Sequence, residues 1–344
     1  MMKAIFPIAV FIFFSLVSRS QPAGPEQPFD GPGGQAYLHS EVSFSDFASE
    51  DDGYWLFEPA APKPDSAEVI VFLHGFGAIN PMIYGQWIKH LVRQGNIVIY
   101  PRYQKNIWSP RSKHFADNAA RAIGDALERL EGGDHVRPIT SNFSLVGHSY
   151  GGAISANLAA RYEEARIPRP KAVMLCAPGT GPLKGALLDA YENIPEETRL
   201  LSVVHEGDKI VGDKLGVLVF ETAVNTPRRN LIRQYEDDHG EPGIYDGHNH
   251  AYALDSLFDA GIHNVSYRRA LKSAKTDAMD YYGYWKLFDA LRSCARSGDD
   301  CEYALGDTPE QRYLGEWSDG TAIRELVVIL PKAKENMAVV GGGD

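Results

Sequence analysis

The sequence predicts an α/β fold built on a mostly parallel, eight-stranded sheet with an antiparallel N-terminal edge and helices on both faces. Three observations lead there. Near-continuous apolar runs such as "EVIVFLHG", "NIVIYPRY" and "AVMLCAPG" have the pattern of strands buried on both sides. From the third run onward, each is separated from the next by enough residues for a helix or a longer excursion, as parallel neighbours require. A chain of 344 residues, 44% hydrophobic and 23% charged, has the composition of an ordinary globular protein with a sizeable core.

The elements follow in order. Residues 1–20, "MMKAIFPIAVFIFFSLVSRS", carry an apolar run from Ala4 to Val17 and small residues at Ser18 and Ser20, the pattern of a secretory signal peptide cleaved near Ser20/Gln21. The run is shorter than the roughly 20 apolar residues of a membrane span, so no stable membrane span is expected after cleavage, and a secreted or periplasmic location follows. Residues 21–36 are rich in Pro and Gly and read as a flexible lead-in. Residues 37–330 form one domain, and 331–344 a C-terminal tail. Within the domain, strands are expected at "EVSFSDF", "YWLFEP", "EVIVFLHG", "NIVIYPRY", "NFSLVGHS", "AVMLCAPG", "LLSVVHEGD" and "LIRQYEDD". Helices are expected over 82–94, 115–131, 150–162 and 214–222. The first two strands, joined by the turn "ASEDDG", make the antiparallel edge.

A formal charge of -11 argues against nucleic acid as a partner, because phosphate binding needs a basic face. Of the three cysteines, Cys294 and Cys301 flank the polar stretch "ARSGDD" and are placed to close a local disulfide in an oxidising compartment. Cys176 reads as a buried strand residue. Trp285 and Trp317 in the aromatic tail are expected in the core.

The chemistry gathers at "SLVGHSYGGAIS". A strand, a sharp turn and a helix surround G-x-S-x-G here, with Gly147 and Gly151 permitting a turn that presents Ser149 as a nucleophile. A serine hydroxyl is a weak nucleophile alone and needs a base, an acid and an oxyanion site. The Gly-rich end of an earlier strand, "VFLHGFGAIN", offers backbone donors. The oxyanion hole is assigned to the N–H groups of Phe76 and Tyr150, with Gly77 as an alternative to Phe76. His74 is read as bracing this loop.

This assembly resembles the α/β-hydrolase fold family from about Tyr37 to Leu330, and within it is most similar to small secreted esterases, polyesterases, and the chlorophyllase and dienelactone-hydrolase relatives. The resemblance implies an acid after the seventh strand and a histidine after the eighth. Asp208 stands in the first place, although His205 departs from the family's usual glycine and the G-x-x-D spacing is not kept, which leaves Glu206 and Asp213 as competitors. In "DDHGEPGIYDGHNHAYAL" the base is assigned to His248, with His250 and His239 as alternatives. The same loop holds Asp237, Asp238 and Asp246, but it lacks a recognised metal-ligand motif, so no metal and no cofactor are assigned. The resemblance implies a serine esterase acting on a small or polymeric ester. A small acyl-peptidase and a non-catalytic binding module of the same fold are the rivals.

Overall fold

The structure is a computed structural model that describes residues 21–332; residues 1–20, read above as a signal peptide, and most of the segment read as a C-terminal tail lie outside the described residues. One mixed sheet runs through the domain. Its strands are β1 (Glu41–Asp46), β2 (Tyr54–Ala60), β3 (Ser66–Leu73), β4 (Asn96–Pro101), β5 (Arg137–His148), β6 (Ala172–Cys176), β7 (Arg199–His205), β8 (Arg229–Gln234) and β9 (Val327–Ile329). Their order across the sheet is β1-β2-β4-β3-β5-β6-β7-β8-β9. Strands β4, β3, β5, β6, β7 and β8 are parallel, while β1, β2 and β9 pair antiparallel at the edges.

The sheet therefore has nine strands among the described residues, not the expected eight. The extra strand, β9, is only three residues long, and Val327 and Ile329 are exposed, so it lacks the buried apolar run that marks the others. Its pairing with β8 supplies the fold with a second antiparallel edge.

The alternation of the central strands sorts their side chains into two cores. Ile70, Phe72, Val98, Tyr100, Val146, Met174 and Leu201 face one layer with α1 (Gly85–Arg93) and, later in the chain, the helix Lys286–Arg296. Val69, Val71, Ile97, Ile99, Leu145, Val173 and Leu200 face the other, with α2 (Phe115–Leu130) and α3 (Tyr150–Ala160). Two-sided burial is the physical reason these strands read as unbroken apolar runs. At the β3/β5 boundary the strand order reverses, and the C-terminal ends of two strands at such a point are the place where sheets of this kind bind ligands.

The lead-in makes specific contacts with the domain. It forms no helix or strand, but it is pinned: the Gly33 N–H donates to Asp289 Oδ2 at 2.9 Å, and Gln27 Nε2 donates to the Tyr37 hydroxyl at 3.0 Å. Proline and glycine forbid regular structure without forbidding attachment. Cys294 and Cys301 are joined in a disulfide, Cys176 is free and buried, and Trp285 and Trp317 are both core residues.

Candidate active site

Ser149 sits between the end of β5 and the start of α3 with φ 56° and ψ -119°, a conformation few non-glycine residues adopt. Holding it there costs on the order of 1–3 kcal/mol. The surroundings fix it: Ser149 N–H donates to the Cys176 carbonyl at 2.9 Å, and its own carbonyl accepts from Gly179 at 3.1 Å and Ala153 at 3.2 Å. Gly151 is required for a different reason, since a Cβ there would lie 1.9 Å from the Leu73 carbonyl oxygen. The turn is thus pressed against the end of β3. Ser149 is mostly buried, not presented openly, because Gly75 packs against its Cβ.

Asp208 follows β7 and His248 follows β8, and the fold brings both to Ser149. His248 Nε2 lies 2.8 Å from Ser149 Oγ, and His248 Nδ1 lies 2.7 Å from Asp208 Oδ2. With the proton on Nδ1 donated to the carboxylate, the Nε2 lone pair faces the serine hydroxyl. The other oxygen, Asp208 Oδ1, accepts from the N–H groups of Ile210 at 2.8 Å and Val211 at 3.1 Å. Burial pushes the Asp208 carboxyl up, but the His248 hydrogen bond and charge, with these two backbone donors, outweigh it and hold the group below the ordinary carboxylate range. Asp208 stays ionised at neutral pH.

The loop after β3 supplies the remaining part. Among the described residues neither the Phe76 N–H nor the Tyr150 N–H has a hydrogen-bond partner, and Tyr150 opens α3, where the helix dipole also favours negative charge. Gly77 N–H is already committed to Gln104 Oε1 at 2.8 Å, which favours Phe76 over the alternative. The Gly75 carbonyl accepts from Ala78 N–H at 2.9 Å and lies 2.7 Å from His74 Nδ1. Because a trans peptide points its C=O and N–H in opposite directions, anchoring the Gly75 oxygen also aims the Phe76 N–H. His74 therefore braces the loop, as its setting suggested; its Nε2 lies 2.9 Å from the Arg102 carbonyl. Burial lowers its pKa to about 4, so the ring is neutral and donates to one of these two carbonyls.

The competing residues are engaged elsewhere. Glu206 and Asp213 both pair with Arg233, at 2.9 and 2.6 Å. His239 pairs with Asp319 at 2.9 Å on the surface. His250 is buried with Nε2 3.0 Å from Asp277. Asp237 accepts from the Arg324 N–H at 2.8 Å and the His239 N–H at 3.0 Å.

Sequence reasoning missed a second set of polar residues below the site. His148 Nδ1 lies 2.9 Å from the Tyr84 hydroxyl and His148 Nε2 lies 2.7 Å from the His248 carbonyl. His205 contacts Gln234 Oε1 at 2.6 Å and the Tyr284 hydroxyl. The elbow motif displays His148 plainly, but nothing local in sequence links it to Tyr84 or to the His248 backbone.

Residues 58–188 match the family model described as Chlorophyllase. No curated protein matches the chain. The matched stretch holds Phe76, Ser149 and Tyr150, while Asp208 and His248 lie beyond it. No helix among the described residues is long and apolar enough to cross a membrane. Over residues 58–188 the chain is thus similar to the chlorophyllase family, and its mostly parallel sheet with a serine elbow is a fold of the α/β-hydrolase type.

Proposed function

We propose that this protein is a serine hydrolase of carboxylic esters that works after export, with Ser149 as nucleophile, His248 as general base and acid, and Asp208 as the group that orients the imidazole. The observation that carries the reading is the continuous hydrogen-bond chain from Ser149 Oγ through His248 to Asp208 beside two unpartnered backbone donors. In the first half-reaction His248 Nε2 takes the serine proton as Oγ attacks the ester carbonyl. The carbonyl oxygen becomes an oxyanion between the N–H groups of Phe76 and Tyr150, where fixed donors stabilise charge without reorganising. His248 then returns the proton to the departing alcohol. Water, deprotonated by the same imidazole, attacks the acyl-enzyme and releases the acid.

The substrate is a carboxylic ester, with chlorophyll-type esters one class in the panel that tests it. p-Nitrophenyl esters of increasing chain length, a chlorophyll ester and peptide amides are assayed side by side, with fluorophosphonate labelling of Ser149. Ester turnover with a labelled Ser149 is expected. Preferential amide cleavage supports an acyl-peptidase, and absence of both turnover and labelling supports a binding module. Export rests on the apolar segment at residues 1–20 and the Cys294–Cys301 disulfide. N-terminal sequencing of protein from its native host is expected to begin at or near Gln21, and an intact Met1 end rejects the leader.

A further inference from the structure

We infer that Tyr84 and His148 form a buried positioning pair that sets the oxyanion loop and the base in register with one another. The inference rests on the ester-hydrolase reading above. Four groups stand in one chain: Gly75 N–H is 3.0 Å from the Tyr84 hydroxyl oxygen, that hydroxyl is 2.9 Å from His148 Nδ1, and His148 Nε2 is 2.7 Å from the carbonyl of His248. Tyr84 and His148 are essentially inaccessible to water.

The chemistry of the ends fixes the direction of every proton. A backbone N–H can only donate, so Gly75 donates to the Tyr84 oxygen; a carbonyl can only accept, so His148 must carry its proton on Nε2 and donate to His248. His148 Nδ1 then has only a lone pair to offer, and the Tyr84 O–H donates to it. Burial, and then the neighbouring His248, hold the His148 pKa well below its ordinary value, which keeps this single tautomer. Burial likewise keeps the Tyr84 hydroxyl protonated.

The chain ends on the two elements whose relative position decides the reaction. Gly75 immediately precedes Phe76, whose N–H faces the developing oxyanion, and the His248 carbonyl belongs to the residue whose ring reaches Ser149. Neither Tyr84 nor His148 touches Ser149 Oγ by hydrogen bond. Their effect is on placement, where a displacement of about 1 Å is enough to lower a rate by about a hundredfold.

Steady-state kinetics on the enzyme beginning at Gln21 test this with Tyr84→Phe, His148→Phe, the double variant and His148→Gln. Tyr84→Phe removes one oxygen and is expected to lower kcat at least about tenfold with KM within about twofold, because orientation is lost and substrate binding is not. His148→Phe is expected to lose as much or more. The double variant should be no worse than His148→Phe alone, since both changes cut one chain. His148→Gln is expected to recover most of the lost kcat, because its amide oxygen accepts from Tyr84 and its NH2 donates to the His248 carbonyl. Wild-type kcat in Tyr84→Phe, or additive losses in the double variant, overturns the pair. If His148→Phe does not fold, Tyr84→Phe carries the test. A proton NMR spectrum gives a readout independent of turnover: the downfield resonance of the His248–Asp208 hydrogen bond is expected in the wild type and broadened or lost in Tyr84→Phe. A wild type inert toward every ester rejects the esterase reading, whereas that resonance still decides the pair, its persistence in Tyr84→Phe overturning it.

Discussion

His248 Nε2 and Ser149 Oγ are 2.8 Å apart although 99 positions separate the two residues in the chain. A contact so remote in sequence and so short in space is held by the end of β5, which mounts Ser149, and by the loop after β8, whose turn carries His248. Ser149→Ala and His248→Ala are each expected to lower kcat for ester hydrolysis by about 10⁴-fold or more, with the double variant no worse than either, because the two act as one unit. More than about a tenth of wild-type activity in either single variant rejects the assignment. Thermal unfolding of Ser149→Ala should stay close to wild type, since only one hydroxyl is removed.

The neighbouring histidine is expected to behave in the opposite way. His250 Nε2 lies 3.0 Å from Asp277, and the ring is buried. His250→Ala removes the partner of a buried carboxylate and is expected to destabilise by about 1–3 kcal/mol while leaving kcat within a few-fold of wild type. Urea denaturation and an ester assay on the same sample separate the two effects. A dead but fully stable His250→Ala variant would move the base by two residues.

Acid is expected to unfold the protein early. His74 and His205 are buried with pKa values lowered from 6.5 to about 4 and about 3, and His148 is lowered well below its ordinary value. In each case burial is the main cause. The folded pKa is below the unfolded one, so the stabilisation is fully present above about pH 6.5 and is lost as pH falls toward the folded values. Three protons that the unfolded chain binds and the native chain refuses give a limiting slope of about 4 kcal/mol per pH unit. Urea midpoints measured from pH 7.5 to 4.5 should fall steeply, and His205→Gln should flatten the curve. A stability independent of pH across that range would remove the explanation.

The disulfide is expected to matter modestly. Cys294 and Cys301 are seven positions apart, so the bond closes a short loop and removes little freedom from the unfolded chain. Loop-closure entropy sets its contribution at about 2–3 kcal/mol. Comparing Cys294→Ser/Cys301→Ser with wild type by urea denaturation should give a loss of that size with ester turnover retained. A variant that fails to fold would show that the crosslink holds the helix Lys286–Arg296 in place.

How much was legible in sequence follows from how local each signal is. The strands from β3 to β8 were visible because burial on both faces writes an apolar run directly into the chain, and the elbow because a tight turn demands glycine at Gly147 and Gly151. Asp208 and His248 were reachable through chain order and family resemblance, and only the fold brings them to within 2.7 Å of one another. Strand β9 escaped because three half-exposed residues acquire their strand character from β8 alone. The pinned lead-in escaped for a related reason: its partner Asp289 lies 256 positions away from Gly33. The Tyr84–His148–His248 chain joins three segments through one hydroxyl, one ring and one backbone carbonyl, and a backbone carbonyl carries no sequence signature.

Strand β8 ends at Gln234 and β9 begins at Val327, and the two lie side by side in antiparallel register. Everything from 235 to 326 leaves the sheet and returns to the strand next to the one it left. Such an excursion has its two ends clamped together while its middle packs the helix Lys286–Arg296 against the sheet, so one segment both delivers His248 and closes one layer of the core. The base and half of the core therefore share one stretch of chain, whereas the serine is rooted separately in β5.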